Sequence, residues 1–386
     1  MNYNHKIFII ISLFFLGCKS EVDLIVYNGN IYTVDNNFKV ANAIAIKDGL
    51  FHEIGTNEII NKYYSKELIN LKGSTVLPGL IDAHCHFYGL GLNQQVIDLV
   101  GTRSFKEVLS KLNSNSTINS TIIKGRGWDQ NDWEVKQFPE KSELDRLYPD
   151  IPVVLERIDG HAYLVNQKAL DLAKITLDTK SNNGTIVKNS GKLTGLLIDG
   201  PMTLIDNILP ELSIYEKKQA LLNAEKICFE NGLTTVDDAG LSKEIILLID
   251  SLHKKKELKI RIYAMISNSK NNLDYFLEKS PIKTPHLNVR SVKIYGDGAL
   301  GSRGATLKKP YHDDPNNYGK LITNPNELKN LASRIAKANF QMNTHAIGDS
   351  TVKLLIDTYS KVLENKEDPR WRIEHSQIID LEDMEG

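Results

Sequence analysis

The sequence predicts an α/β protein in which a parallel sheet built from βα units follows a small antiparallel β segment. Three observations carry this reading. From Val76 onward, short apolar runs alternate with long helical stretches, the pattern of repeated strand–helix units. Before Val76 the β-prone runs are short and flank Asn28-Gly29 and Asp48-Gly49, dipeptides suited to type I′ hairpin turns. The 386 residues are 41% hydrophobic and 25% charged, which suits a folded chain with one large domain and a smaller one.

Charge narrows the function classes. Forty-seven basic residues face 48 acidic ones, for a net charge of −1. Such a balance leaves no electrostatic footprint for nucleic acid or an anionic membrane surface, so the expected partner is a small molecule. Self-association is left open. The three cysteines, Cys18, Cys85 and Cys228, contain no CxxC pair, which argues against a zinc ribbon or a disulfide framework.

In chain order, residues 1–17 read as a signal peptide: Lys6 precedes ten almost wholly apolar positions, 7–16. The run is too short to span a bilayer as a helix. Phe15-Leu16-Gly17-Cys18 resembles a bacterial lipobox, with Phe where Leu is usual. Cys18 is thus the expected lipidation site. The expected location is that of an exported lipoprotein anchored in a bacterial membrane and facing the periplasm or cell exterior. Residues 23–75 form the antiparallel β segment, too small to hold a core alone.

Residues 76–386 contain six strand candidates, at 76–83, 233–238, 260–266, 289–295, 340–345 and 371–375, with helical stretches such as 214–231 and 326–338 before two of them. The stretch from about 102 to 210 is rich in Asn, Ser and Gly and too long for one loop. It reads as an insertion over the mouth of the sheet.

The chemistry sits at strand ends. The apolar run from Val76 closes in His84-Cys85-His86, and strand period 2 puts both imidazoles on one face. Two such nitrogens suit one divalent ion, although two hydrogen-bonded surface histidines would read the same. His345 ends a run whose Gln341, Asn343 and His345 share a polar face, and His375 ends Trp371-Arg372-Ile373-Glu374-His375, where the alternation is less clean. Histidines at the ends of three strands strengthen the metal reading. Lys293, between Val292 and Ile294, points inward. A buried ammonium requires an acidic partner, a depressed pKa, or conversion by carbon dioxide to an anionic carbamate able to bridge two metals. Gly296-Asp297-Gly298-Ala299-Leu300-Gly301 matches GxGxxG, but the residues that follow lack helical periodicity, so it does not read as a dinucleotide site.

The ordered motifs DLIVYNGNIYTVD, AIAIKDG, VLPGLIDAHCHF, GRGWDQ, DGHAYLVNQKAL, GLTTVDDAG, VKIYGDGALGSRGA, NTHAIGD and RIEHSQ resemble amidohydrolase family 3 of the metal-dependent hydrolase superfamily, in its YtcJ-like and N-substituted formamide deformylase-like branch. The resemblance runs from about Asp23 to the last residues. It implies a (β/α)8 TIM-type barrel beside a small β-sandwich. It also implies one or two divalent ions, zinc foremost, on His84, His86, His345 and His375, with Lys293 as a carboxylated ligand and His161 near the substrate. His161 and Arg303 are the candidates for stabilising a developing oxyanion.

The implied reaction is hydrolysis of a carbon–nitrogen bond, other than a peptide bond, in a small amide or N-formyl or N-acyl compound. The resemblance further implies two more βα units and a general-base aspartate at the eighth strand. The sequence stops at Gly386, 11 residues after His375, and no residue takes that aspartate's role. The catalytic base is therefore unassigned, and a truncated barrel of about six strands is expected. Two alternatives stay open: an inactive fragment or pseudoenzyme of that family, and a non-catalytic solute-binding lipoprotein.

Overall fold

The computed structural model describes residues 19–115, 121–181 and 183–384; Cys18 and the expected signal peptide lie outside them. The chain divides into two compact units, Met1–Leu80 and Ile81–Gly386.

The described part of the first unit holds three small sheets, one of them the parallel pair Ser20–Glu21 and Tyr63–Tyr64. The other two are larger. One orders Leu50–Gly55, Ala43–Lys47, Leu24–Tyr27 and Glu67–Asn70; the other orders Val40–Ala41, Asn30–Tyr32 and Thr75–Val76. Asp48 and Gly49, at φ 52° and 74°, close the expected hairpin between Ala43–Lys47 and Leu50–Gly55. The hairpin expected at Asn28-Gly29 does not form. Leu24–Tyr27 pairs with Ala43–Lys47 and Glu67–Asn70, while Asn30–Tyr32 pairs with strands of the other sheet. A type I′ turn needs positive φ at both central residues, and only Asn28 has it. The Asn28 amide donates to Asn57 Oδ1 and the Gly29 amide to the Asn42 carbonyl. Long-range partners thus carry the chain from one sheet to the other.

The second unit is built on six strands, β1 (Leu80–Cys85), β2 (Leu233–Leu241), β3 (Arg261–Ser267), β4 (Leu287–Tyr295), β5 (Gln341–Ala346) and β6 (Arg372–His375), arranged in that spatial order. The pairs from β2 to β6 are all parallel. Connecting helices are α1 (Phe87–Asn93), α2 (Ile214–Glu230), α3 (Lys243–Lys254), α4 (Pro325–Lys337) and α5 (Asp349–Leu363). Their starts are legible. Ser213 and Glu216 form a capping box on α2, Ser242 caps α3, and Asn324 caps α4 with Pro325 in its first turn. This is the expected βα barrel wall, with outward side chains such as Val236, Ile262, Val292, Ile294 and Met342 in one continuous core with the helices.

Between α1 and α2 lies a second sheet, ordered Ile97–Asp98, Ile123–Trp128, Val153–Arg157, Ala162–Val165, Lys192–Asp199 and Gly184–Asn189. It begins parallel and ends antiparallel. Its own core packs Trp128, Trp133, Leu155 and Leu164, so the long stretch between the first two barrel strands folds around apolar contacts of its own.

Candidate metal centre

Alternation along the strands aims the chemistry. In β4, Val292 and Ile294 enter the outer core, leaving Lys293 inside at 1% exposure. In β5, Met342 and Ala346 pack outward, so Gln341, Asn343 and His345 face inward. In β6, Trp371 just before it and Ile373 pack against the outer core, while inward-facing Arg372 reaches Asp237 of β2 at 3.1 Å. Strict alternation would turn His375 outward. Its backbone instead takes φ 76°, and its ring sits 4.7 Å, centre to centre, from both His84 and His345.

His84 and His86 are 5.8 Å apart by ring centre, and Lys293 Nζ lies 3.3 Å from His84 Nε2. The four expected histidines and Lys293 therefore meet at one end of the barrel. Burial, then the charges of Lys293 and His84, pull His86 down to about 4. Burial pulls His345 to about 2, and burial with the His84 charge pulls His375 to about 4. These three imidazoles are neutral at pH 7, the protonation state a metal needs. Burial lowers Lys293 to about 8.

Hydrogen bonds select which nitrogens stay free. His86 Nδ1 donates to the Ala239 carbonyl at 3.0 Å, since a carbonyl only accepts, and this leaves Nε2 with its lone pair. His345 Nε2 faces the Gly298 carbonyl at 3.3 Å, which leaves its Nδ1. His84 Nδ1 lies 2.7 Å from Glu374 Oε2. Burial pushes the Glu374 carboxyl up, but the His84 hydrogen bond and the Arg372 charge outweigh it and hold it below its ordinary value. Among the described residues no three His, Cys, Asp or Glu side chains are already gathered into a finished cage. The donor set of neutral nitrogens with anchored opposite edges nevertheless fits a divalent ion.

The model of the amidohydrolase family matches residues 67–385. The chain belongs to that family. It is 34% identical over 379 residues to the protein LONG AFTER FAR-RED 3 of Arabidopsis thaliana, covering 92% of this chain and 64% of the plant protein. It is 31% identical to YtcJ of Bacillus subtilis, covering 93% and 70%. An uncharacterized metal-dependent hydrolase of Pyrococcus horikoshii superposes with a TM-score of 0.67 at 26% identity, covering 88% of this chain and 68% of that one. The chain thus spans about two thirds of the length of these relatives.

The amidohydrolase barrel end opens into a cavity of about 1070 Å³ whose other wall is the second sheet. His161 lines it, 5.1 Å by ring centre from His345. Its Nδ1 lies 2.7 Å from Asp199 Oδ1; burial pulls the imidazole down, but this hydrogen bond and the Asp199 charge raise it above its ordinary value. Arg303 does not line the cavity: its guanidinium pairs with Asp313 at 2.8 Å and lies over Phe138.

Arg157 stands in the cavity wall instead, its charge already matched by Asp129 and Asp159. The GxGxxG run forms a loop that opens no helix. Asp297 within it accepts the amides of Thr306, Ile347 and Gly348, holding the entry to α5. Glu374, Asp199 and Arg157 escaped the sequence reading. Arg157 and Asp199 each end a mostly apolar strand, which is their one signal; Glu374 lies in the polar run Arg372-Ile373-Glu374-His375 and has none.

Proposed function

We propose that this chain serves in metal-dependent hydrolysis of a carbon–nitrogen bond, other than a peptide bond, in a small amide or N-formyl or N-acyl compound. Membership of the amidohydrolase family and the likeness to a metal-dependent hydrolase support the hydrolytic part. A weaker likeness to an N-substituted formamide deformylase of Arthrobacter pascens supports the substrate class. The observation that carries the reading is the convergence of His84, His86, His345, His375 and Lys293 at one end of the barrel, where His86, His345 and His375 line a cavity.

The four imidazoles would hold one or two zinc ions, with Lys293 carboxylated as an anionic ligand. Bound there, a divalent ion supplies Lewis-acid polarisation of the carbonyl and a water acidified towards pH 7. The chain's own groups bind and orient, with the general base unassigned. Neutral imidazoles present lone pairs, and His86, His345 and His375 line the cavity. His161, oriented by Asp199, donates from Nε2 towards the substrate oxygen as charge develops.

Lys293 supplies a test. At a pKa of about 8 roughly a tenth of the amine is uncharged at pH 7, so it can attack carbon dioxide, releasing one proton and forming the carbamate. Protein reconstituted with zinc and 13C-bicarbonate should show one carbamate carbon resonance, absent from Lys293→Arg. Wild-type metal content in a Lys293→Ala variant, with no such resonance in the parent, would refute the role.

Export is proposed on Lys6, the apolar run and Gly17-Cys18. Among the described residues no helix is long and apolar enough to cross a membrane, and the proposed attachment is a lipid on Cys18. A Cys18→Ser variant expressed in a bacterium should lose radiolabelled palmitate and leave the membrane fraction; equal labelling of both forms counts against the lipobox.

A further inference from the structure

Glu374 has no place in the ligand set, yet it is 7% exposed and touches a member of that set. Its two oxygens are both committed. Oε2 lies 2.7 Å from His84 Nδ1, and Oε1 lies 2.8 Å from Arg372 Nε, an ion pair off the angle of a hydrogen bond. Arg372 is fixed in turn, its Nη1 donating to Asp237 Oδ2 at 3.1 Å and to the Ala83 carbonyl at 3.2 Å. The relay runs Asp237, Arg372, Glu374, His84, and so starts and ends on strands other than the one that carries Arg372 and Glu374. His84 stands on β1 and Glu374 on β6, at opposite ends of the strand order.

We propose that Glu374, aligned by Arg372, is a positioning residue for His84: it accepts the Nδ1 proton and so fixes the tautomer that aims the Nε2 lone pair at the metal. The inference rests on the metal reading above. An ionised carboxylate only accepts, so the proton on Nδ1 is dictated. A carboxylate behind a metal-bound imidazole also raises its basicity and holds its ring plane. Glu374 is not itself a ligand, because turning either oxygen to an ion would strip His84 or Arg372 of its partner. The adjacent positions 374 and 375 thereby divide the labour: His375 reaches the centre through its own left-handed backbone, and Glu374 reaches it through His84.

The test uses the full chain as Glu374→Ala and Glu374→Gln, the latter isosteric and still offering an oxygen to Nδ1. Zinc affinity is read by competition with a chromophoric chelator. The tautomer is read without metal, from the ring 15N shifts of His84 at pH 8 in histidine-labelled protein, assigned through His84→Gln. Wild type should show His84 protonated on Nδ1 alone. The alanine variant should show mixed tautomers and bind zinc about 10- to 100-fold more weakly, with glutamine closer to wild type in both measures.

A purely structural role would lower thermal stability while leaving the tautomer unchanged. Unchanged 15N shifts in Glu374→Ala, zinc affinity within threefold of wild type, or a glutamine variant no better than alanine overturns the proposal. If wild type binds no zinc at all, the metal reading itself has failed and takes this proposal with it. Should the alanine variant not fold, the glutamine variant's shifts decide: a protonated Nε2 there overturns the proposal, and protonation of Nδ1 alone supports it.

Discussion

Replacing His84 and His86 together by alanine is expected to abolish metal binding: wild type should hold about one to two equivalents of zinc and the double variant less than about a tenth of one. A four-ligand zinc site is worth roughly 10–16 kcal/mol; if the ligands share that about equally, losing two costs about 5–8 kcal/mol, or a thousandfold and more in affinity. The two side chains leave the same strand and the same face, so no neighbouring donor moves into their place. Asp82, the next residue on that face, spends Oδ1 on the His84 amide. The control is His253→Ala. That imidazole lies away from the cavity, its Nε2 3.0 Å from the Ile260 carbonyl and its ring beside His286, and its loss should leave the metal content unchanged. Elemental analysis after dialysis decides. Metal retained by the double variant, or lost equally from the control, means the ions sit elsewhere.

Gly91→Ala is expected to destabilise the second unit more than any other single-methyl change in its helices. A Cβ on Gly91 would stand 1.8 Å from the Ala220 carbonyl oxygen and 2.4 Å from its carbon, where α1 crosses α2. Those are backbone atoms in the middle of a capped 17-residue helix, so neither can swing aside and the helices must part. Overpacking typically costs about 1–3 kcal/mol, and a backbone obstruction belongs at or above the top of that range.

Gly89 provides the contrast, for its Cβ would meet only the His86 side chain, at an ordinary 3.5 Å. Gly89→Ala should be neutral or slightly stabilising, since alanine favours a helix by about 1 kcal/mol over glycine. Urea denaturation of both variants against wild type measures the difference; equal midpoints would show that α1 and α2 can separate freely. Because α1 begins directly after His86, the Gly91 variant should lose zinc affinity as well as stability.

Four of the barrel strands, β2, β3, β5 and β6, were legible because each follows a long helix (α2, α3, α4 and α5), a contrast that survives without tertiary information, while β1 and β4 were legible from their apolar residues alone. Asn28-Gly29 was misread because a turn dipeptide states only that the chain can turn. The acceptors Asn57 Oδ1 and the Asn42 carbonyl, 29 and 13 residues away in sequence, decide that it changes sheet instead. The histidines announced themselves as polar residues at strand ends, and Lys293 as a lysine between two apolar neighbours.

Arg303 is a candidate for stabilising an oxyanion in the sequence, but in the fold Asp313 and Phe138 take it up. Glu374 and Asp199 were missed because a carboxylate that orients an imidazole looks, in a sequence, like any other carboxylate. Only the 2.7 Å contacts reveal the role.

The left-handed residue at the end of β6 ties inheritance to geometry. His375 reaches the centre only because φ of 76° breaks the alternation that keeps Arg372 and Glu374 inward and Ile373 outward. Deleting one residue from this strand would reverse all three faces at once, pressing the guanidinium and carboxylate against the Tyr359 and Trp371 rings and sending Ile373 into the ion network. Substitutions can be sampled here one at a time, but changes of length cannot. Across descendants of this sequence the spacing from Trp371 to His375 should therefore drift less than the identities of the residues that fill it.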